Sequence, residues 1–189
     1  MVRAVLKKSE RQQLLARYLS NNPFLTDGKL AQILGVSIQT VRLDRGELDI
    51  PEYRERLKNM AKGNGRQIKS LSGGELVGEL IEMEANKSGV SLLCINDDMT
   101  FKKTKIARGH HLFAQANSLA VAIINAEVVL TGTAKVSFIR PVYTGEQVIA
   151  KAAVKQKKGL KYFVKVVSQV IDDIVLEGDF LVFAMSKEV

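Results

Sequence analysis

The stretch KIARGHHLFAQANSLAVAII, residues 105–124, sets cations and two histidines at the mouth of an apolar run. Lys102, Lys103, Lys105 and Arg108 supply four positive charges, and no Asp or Glu occurs between Asp98 and Glu127. Cations without carboxylates to neutralise them suit a negatively charged ligand. The N–H groups and dipole at a helix start favour the same sign of charge. His110 and His111 read as packing and orienting residues rather than metal ligands or bases, because no acid stands beside them.

A second stretch, LAQILGVSIQTVRLDRGEL at residues 30–48, has chemistry of another kind. Two helices that cross closely need a small residue where they touch, a glycine able to turn left-handed, and apolar residues to lock the second helix. Ala31, then Gly35, then Val36, Ile38 and Val41 meet those needs at helix-turn-helix spacing. The second helix then presents Ser37, Gln39, Thr40 and Arg42, with Arg45 a turn further on, toward double-stranded operator DNA. Gln can bond adenine and Arg guanine through paired hydrogen bonds in the major groove. Asp44 reads as an ion-pair partner within the helix, and Gly46 as a mark near the helix end.

These residues need elements to hold them. Helical patterns cover residues 7–20, 27–34 and 37–48, with Thr26 and Ser37 as N-caps. PEYRERLKNMAK, residues 51–62, reads as an amphipathic linker helix whose basic residues include Arg54 and Arg56. Docked on the larger domain it would fix the position of the DNA reader, laid on DNA it would offer those cations to phosphates and the minor groove, and otherwise it is a solvated connector. GNG and SGG interrupt the chain beyond it.

From there the pattern is that of strands around one long helix. Residues 90–95 and 100–103 read extended, the helix covers 109–124, and four β-rich segments follow at 127–139, 147–156, 160–171 and 174–185. Turn signals at YTGE, KKGL and DD suggest a four-stranded antiparallel meander. The expected fold is α+β, with a DNA-binding domain at 1–49, a linker and hinge at 50–72 and an effector-binding and dimerisation domain at 73–189.

Charge supports this division. Residues 1–69 hold 14 Lys/Arg against 7 Asp/Glu, whereas residues 70–189 hold 14 against 13. The excess of +8 therefore lies almost wholly in the first third, which suits a nucleic-acid or acidic-membrane partner there, the plainer alternative being a solvated basic surface. Cys94 is the single cysteine and lies in VSLLCIN, read as a buried strand, so neither an internal disulfide nor a cysteine metal site is available. No apolar run reaches the ~18 residues of a membrane span, and MVRAVLKKSERQQ is too polar for a signal peptide. A cytoplasmic protein with no membrane partner and no cofactor is expected.

IARGHHLFAQANSLAVAI together with VSIQTVRLDR resembles the FapR family of bacterial fatty-acid synthesis repressors, over nearly the whole chain. The resemblance implies a C-terminal hot-dog domain, a long helix wrapped by an antiparallel sheet and paired into a homodimer. It also implies malonyl-CoA or malonyl-acyl carrier protein as the effector that relieves repression. Arg108 then holds the malonyl carboxylate through two charge-assisted hydrogen bonds. Gly109 lets the backbone approach the ligand, and Asn117 offers an amide to the thioester carbonyl. By resemblance Phe101 and Leu130 border the acyl and pantetheine passage, while Lys102, Lys103 and Lys105 meet the nucleotide phosphates. In the plainer alternatives Arg108 binds a surface carboxylate, Asn117 satisfies buried backbone and Phe101 is core.

Hot-dog proteins are often thioesterases, so the rival reading is an acyl-CoA thioesterase fused to a helix-turn-helix module, with His110 or His111 activating water. General-base chemistry needs a group that accepts a proton, and Gln115 and Asn117 stand where a carboxylate would act. GxSxG, HExxH and a Cys/His pairing are all absent from the sequence, so the expectation is a regulator and not an enzyme. A third reading keeps the DNA reader and gives the C-terminal domain dimerisation alone.

Overall fold

The computed structural model describes residues 7–56, 70–71 and 75–185. Two compact units divide at residue 62, Met1–Lys62 and Gly63–Val189. Residues 57–62 of the expected linker helix and both glycine breaks lie outside the described residues.

The first unit is three helices, α1 (Lys8–Asn21), α2 (Asp27–Leu34) and α3 (Ile38–Glu47). Leu15 and Leu19 of α1, Leu30, Ala31 and Leu34 of α2, and Val41 of α3 form its core. The two expected caps are in place: Thr26 Oγ1 accepts from the Lys29 N–H and Ser37 Oγ from the Thr40 N–H, which satisfies helix-start donors that would otherwise be orphaned. Gly35 ends α2 in the left-handed region at φ 68°, a conformation a β-carbon would strain. Ile38 departs from its expected role as a lock: it is 46% exposed, and Val41 and Val36 do the locking. As the first residue of α3 it lies ahead of the buried stripe.

Charged pairs tie the helices together. Arg11 of α1 grips Asp44 of α3 through two bonds, Nε at 2.6 Å and Nη2 at 3.0 Å. Arg45 of α3 grips Asp27 of α2 likewise, at 2.9 and 3.0 Å. Asp44 thus pairs between helices and not along its own.

The second unit is a six-stranded antiparallel sheet with a helix, α4 (Gly109–Ala122), against one face. Its strands are β1 (Glu79–Glu84), β2 (Ser88–Cys94), β3 (Val128–Phe138), β4 (Gln147–Lys158), β5 (Lys161–Val170) and β6 (Asp173–Met185), in the order β1-β2-β4-β5-β6-β3. On β5, Tyr162, Val164, Val166, Ser168 and Val170 alternate as buried residues facing the core. Leu112, Ala116, Leu119, Ala120 and Ile123 are the helix side of that core. Gly89 of β2 lies directly beneath: a β-carbon there would stand 2.6 Å from Ile123 Cγ2.

Three expectations need correcting, and one strand was missed. Only β4, β5 and β6 form the meander; β3 pairs with β6, so YTGE begins β4 without making a hairpin from β3. β1 had no forecast, and a register shift between Leu80 and Glu82 explains its weak alternation. Residues 100–103 are not a strand: Thr100 makes one bridge to Ala107, and the chain then turns, with Lys105 N–H on Phe101 O. Cys94 ends β2 exposed rather than buried. No helix among the described residues is long and apolar enough to cross a membrane.

Candidate functional site

The chemistry of the second unit gathers where α4 begins. Arg108 is the N-cap residue, with extended backbone and no side-chain bond to the backbone N–H groups that open the helix. Its Nη2 donates to the Asp98 carbonyl and lies 3.3 Å from His111 Nε2. Its Nε is buried without a hydrogen-bond partner among the described residues. Burial, then the neighbouring His110 and Arg108, push the His111 imidazole below its ordinary value, which favours its neutral form. The His110 and His111 rings lie 4.1 Å apart. Among the described residues no group of His, Cys, Asp and Glu is placed to hold a metal.

Gly109 faces the ring of Phe138, which a β-carbon would meet at 3.3 Å. Beside it is a cavity of about 270 Å³ walled by Ile106, Leu112, Phe138, Ile139 and Val142. The guanidinium lining this cavity is that of Arg140, which sequence reasoning missed. Glu146 holds it at 3.3 and 3.4 Å, and Asp173 lies 3.6 Å away. Following a strand and preceding a proline, Arg140 carried no signal that set it apart from a surface arginine.

The remaining expected ligand residues fall into two groups. Phe101, 56% exposed, and Lys102 stand on the turn before α4, and Lys105 there is paired with Asp97 at 3.0 Å. Lys103 is exposed on the same turn. Asn117 and Leu130 lie farther along: the Asn117 amide oxygen accepts from the Thr131 hydroxyl at 2.7 Å, and Leu130 on β3 is 55% exposed. Eight residues of helix separate Gly109 from Asn117, which is ~12 Å at 1.5 Å per residue. Within one copy of the chain the two groups therefore do not converge. Gln115 is wholly buried and donates to the Ser91 and Val148 carbonyls, a structural part of the core. A larger hollow of about 410 Å³, lined by Phe163, Leu181, Lys135 and Lys155, includes none of the expected residues.

In the first unit α3 turns an open face outward. Gln39 and Arg42 are exposed there, and Arg42 lies 3.6 Å from Asp27. The Ser37 hydroxyl is spent on the cap and on Thr40 Oγ1 at 2.9 Å, so these two groups steady the helix start. Arg45 and Arg56, expected at the DNA surface, are instead buried, at 9% and 8% exposure. Arg45 bonds Asp27 and the Ile50 carbonyl. Arg56 donates to the Pro23, Leu25 and Pro51 carbonyls, fastening the start of the linker to the three-helix core. Arg54 remains exposed. Sequence reasoning also passed over Leu43, 61% exposed on this face.

No family model matches the chain. Among curated proteins it is 51% identical over 177 residues to Transcription factor FapR of Bacillus subtilis, covering 92% of this chain and 94% of that protein. With Transcription factor FapR of Caldanaerobacter subterraneus subsp. tengcongensis it shares 45% over 183 residues, 97% of this chain and 92% of the other. Among solved structures, an uncharacterized protein of Pyrococcus horikoshii matches with TM-score 0.60 and 27% identity, covering 65% of this chain and 95% of that one. The E. coli PaaI protein from the phenylacetic acid degradation operon matches with TM-score 0.54 and 15% identity, over 57% and 79% of the two chains. The latter likeness speaks to fold alone.

Proposed function

The chain belongs to the FapR family of transcription factors, regulators and not enzymes, and on that premise we propose that it represses fatty-acid and phospholipid synthesis genes until a malonyl thioester releases it from DNA. The observation that carries this reading is the match at 45–51% identity across nearly the full length, which takes in both the three-helix unit and the helix-on-sheet unit. The first unit is the helix-turn-helix reader of operator DNA. The second is a hot-dog domain that binds malonyl-CoA or malonyl-acyl carrier protein and pairs two copies in the cytoplasm. No cofactor takes part.

Arg108 is the residue for the malonyl carboxylate. Its Nε has no partner among the described residues, and a buried donor left unpaired gains from an arriving acceptor. The Gly109 N–H at the start of α4 adds a second donor, with Phe101 beside it, Lys102 and Lys105 for the phosphates, and Asn117 and Leu130 brought to the thioester from the second copy of the pair. Pairing of two copies through β3 is supported by its place at the sheet edge and by the exposure of Leu130, Phe138 and Ile139. Two readers are what a symmetric operator requires, about one helical turn, ~34 Å, apart.

The test is titration of malonyl-CoA into the full chain bound to operator duplex, with acetyl-CoA as control. Release by malonyl-CoA alone is expected, and Arg108→Ala should bind duplex normally yet ignore malonyl-CoA. Equal release by acetyl-CoA, which lacks the carboxylate, contradicts the guanidinium's role. Hydrolysis of either thioester by the pure protein would favour the thioesterase instead.

A further inference from the structure

We propose that α3 recognises thymine through its 5-methyl group, with Leu43 as the contact, at a base pair next to one read by Gln39; this rests on the DNA-reading function above. The helix buries Val41, Asp44 and Arg45, residues at i, i+3 and i+4 that share one side. At ~100° per residue the opposite side carries Arg42, Gly46, Gln39 and Leu43. Leu43 is 61% exposed, more than Ile33, Ile38 or Leu48 of the same unit, and takes no part in the core of Leu15, Leu30 and Val41. A single exposed leucine is unremarkable on most surfaces. Here its position gives it meaning.

Gln39 and Leu43 stand at i and i+4, neighbours on the surface of the helix. The Ser37 and Thr40 hydroxyls are occupied with each other and Arg42 is paired with Asp27 at 3.6 Å, so this face offers the Gln39 amide, an exposed guanidinium and the Leu43 isobutyl group. Gly46 extends the face with open space, since a β-carbon there would meet nothing within 4 Å, and it leaves room for a groove wall to come close. In the major groove thymine is marked by a methyl group and adenine by the N6/N7 pair that a carboxamide can bond. An amide beside an aliphatic side chain therefore matches two successive A·T pairs. A protein partner on this face would instead meet Arg42 and the charge excess of residues 1–69.

The full-length protein is used to select duplexes from a random pool, and each thymine of the enriched duplex is replaced singly by deoxyuridine, which removes one methyl and leaves pairing intact. At one or two positions wild-type affinity should fall about four-fold, the effect of one apolar group's burial. Leu43→Ala should melt at the wild-type temperature, bind the thymine duplex about as weakly as wild type binds the uracil one, and no longer distinguish them. An enriched duplex whose uracil forms all bind as tightly as the parent overturns the proposal alone. So does a Leu43→Ala variant that keeps the wild-type discrimination, which would give Leu43 to a protein contact. Enrichment of no duplex at all would overturn the DNA-reading function and this proposal with it.

Discussion

Arginines of similar sequence appearance do different physical work in this chain. Arg42 and Arg54 are exposed, while Arg45 and Arg56 are enclosed by Asp27 and by backbone carbonyls. A cation that contacts DNA phosphate adds to the salt dependence of binding, because each neutralised phosphate releases counterion. Arg54→Ala should weaken binding to all duplexes alike and lower the slope of log K against log salt by about one. Arg42→Ala should cost ~1–3 kcal/mol on the enriched duplex and relax base preference at one position. Arg45→Ala should leave the slope unchanged and destabilise the three-helix unit by ~3 kcal/mol, as breaking a buried pair does. Fluorescence anisotropy over a salt series, alongside chemical denaturation, separates the three. A reduced slope for Arg45→Ala would return that residue to the DNA surface.

At the scale of elements, the caps, the glycine turn and the α4 boundaries were legible because each depends on neighbours within a few residues. Thr26, Ser37 and Gly35 act locally, and so does the apolar run after Arg108. What was not legible depends on distant partners. The fates of Arg45 and Arg56 follow from Asp27 and from carbonyls 31 and 33 residues away, and β3 pairs with β6 rather than with the next strand. Arg140 reaches the cavity because of where the end of β3 meets the start of α4, which periodicity does not encode. Two such long-range ties can be tested. The Arg11 guanidinium holds Asp44 below its ordinary carboxylate value of 3.8, chiefly through its hydrogen bonds. A carboxylate depressed in the folded state contributes stability above its unfolded value and loses it as pH falls through the folded one. Circular dichroism of the three-helix unit should therefore show acid unfolding below pH 3.8 that is shallower in Asp44→Asn, a variant already weakened at neutral pH. In the other unit, Gly89→Ala forces a methyl toward Ile123 and should cost ~1–3 kcal/mol by overpacking, read as a lower denaturation midpoint. An unchanged midpoint would mean that α4 shifts freely over β2.

The charge of the molecule as a whole is divided unevenly, +7 against +1 over residues 1–69 and 70–189. A switch between two such units is a free energy of coupling, and coupling between binding sites is reciprocal. If malonyl-CoA weakens duplex binding by some factor, duplex must weaken malonyl-CoA binding by the same factor, typically 5- to 150-fold. The expectation is concrete: calorimetry of malonyl-CoA into free protein and into protein saturated with duplex should give dissociation constants whose ratio equals the ratio of duplex constants with and without malonyl-CoA. Arg108→Ala should bring both ratios to one if the guanidinium is the proposed anchor for the carboxylate. Gly89→Ala, a change in β2 against Ile123 and Leu119, should alter both ratios together if α4 lies in the coupled network. Because a ligand that binds two states equally shifts neither, a malonyl-CoA affinity indifferent to duplex would reduce the hot-dog domain to a bystander and leave release from DNA without a thermodynamic cause.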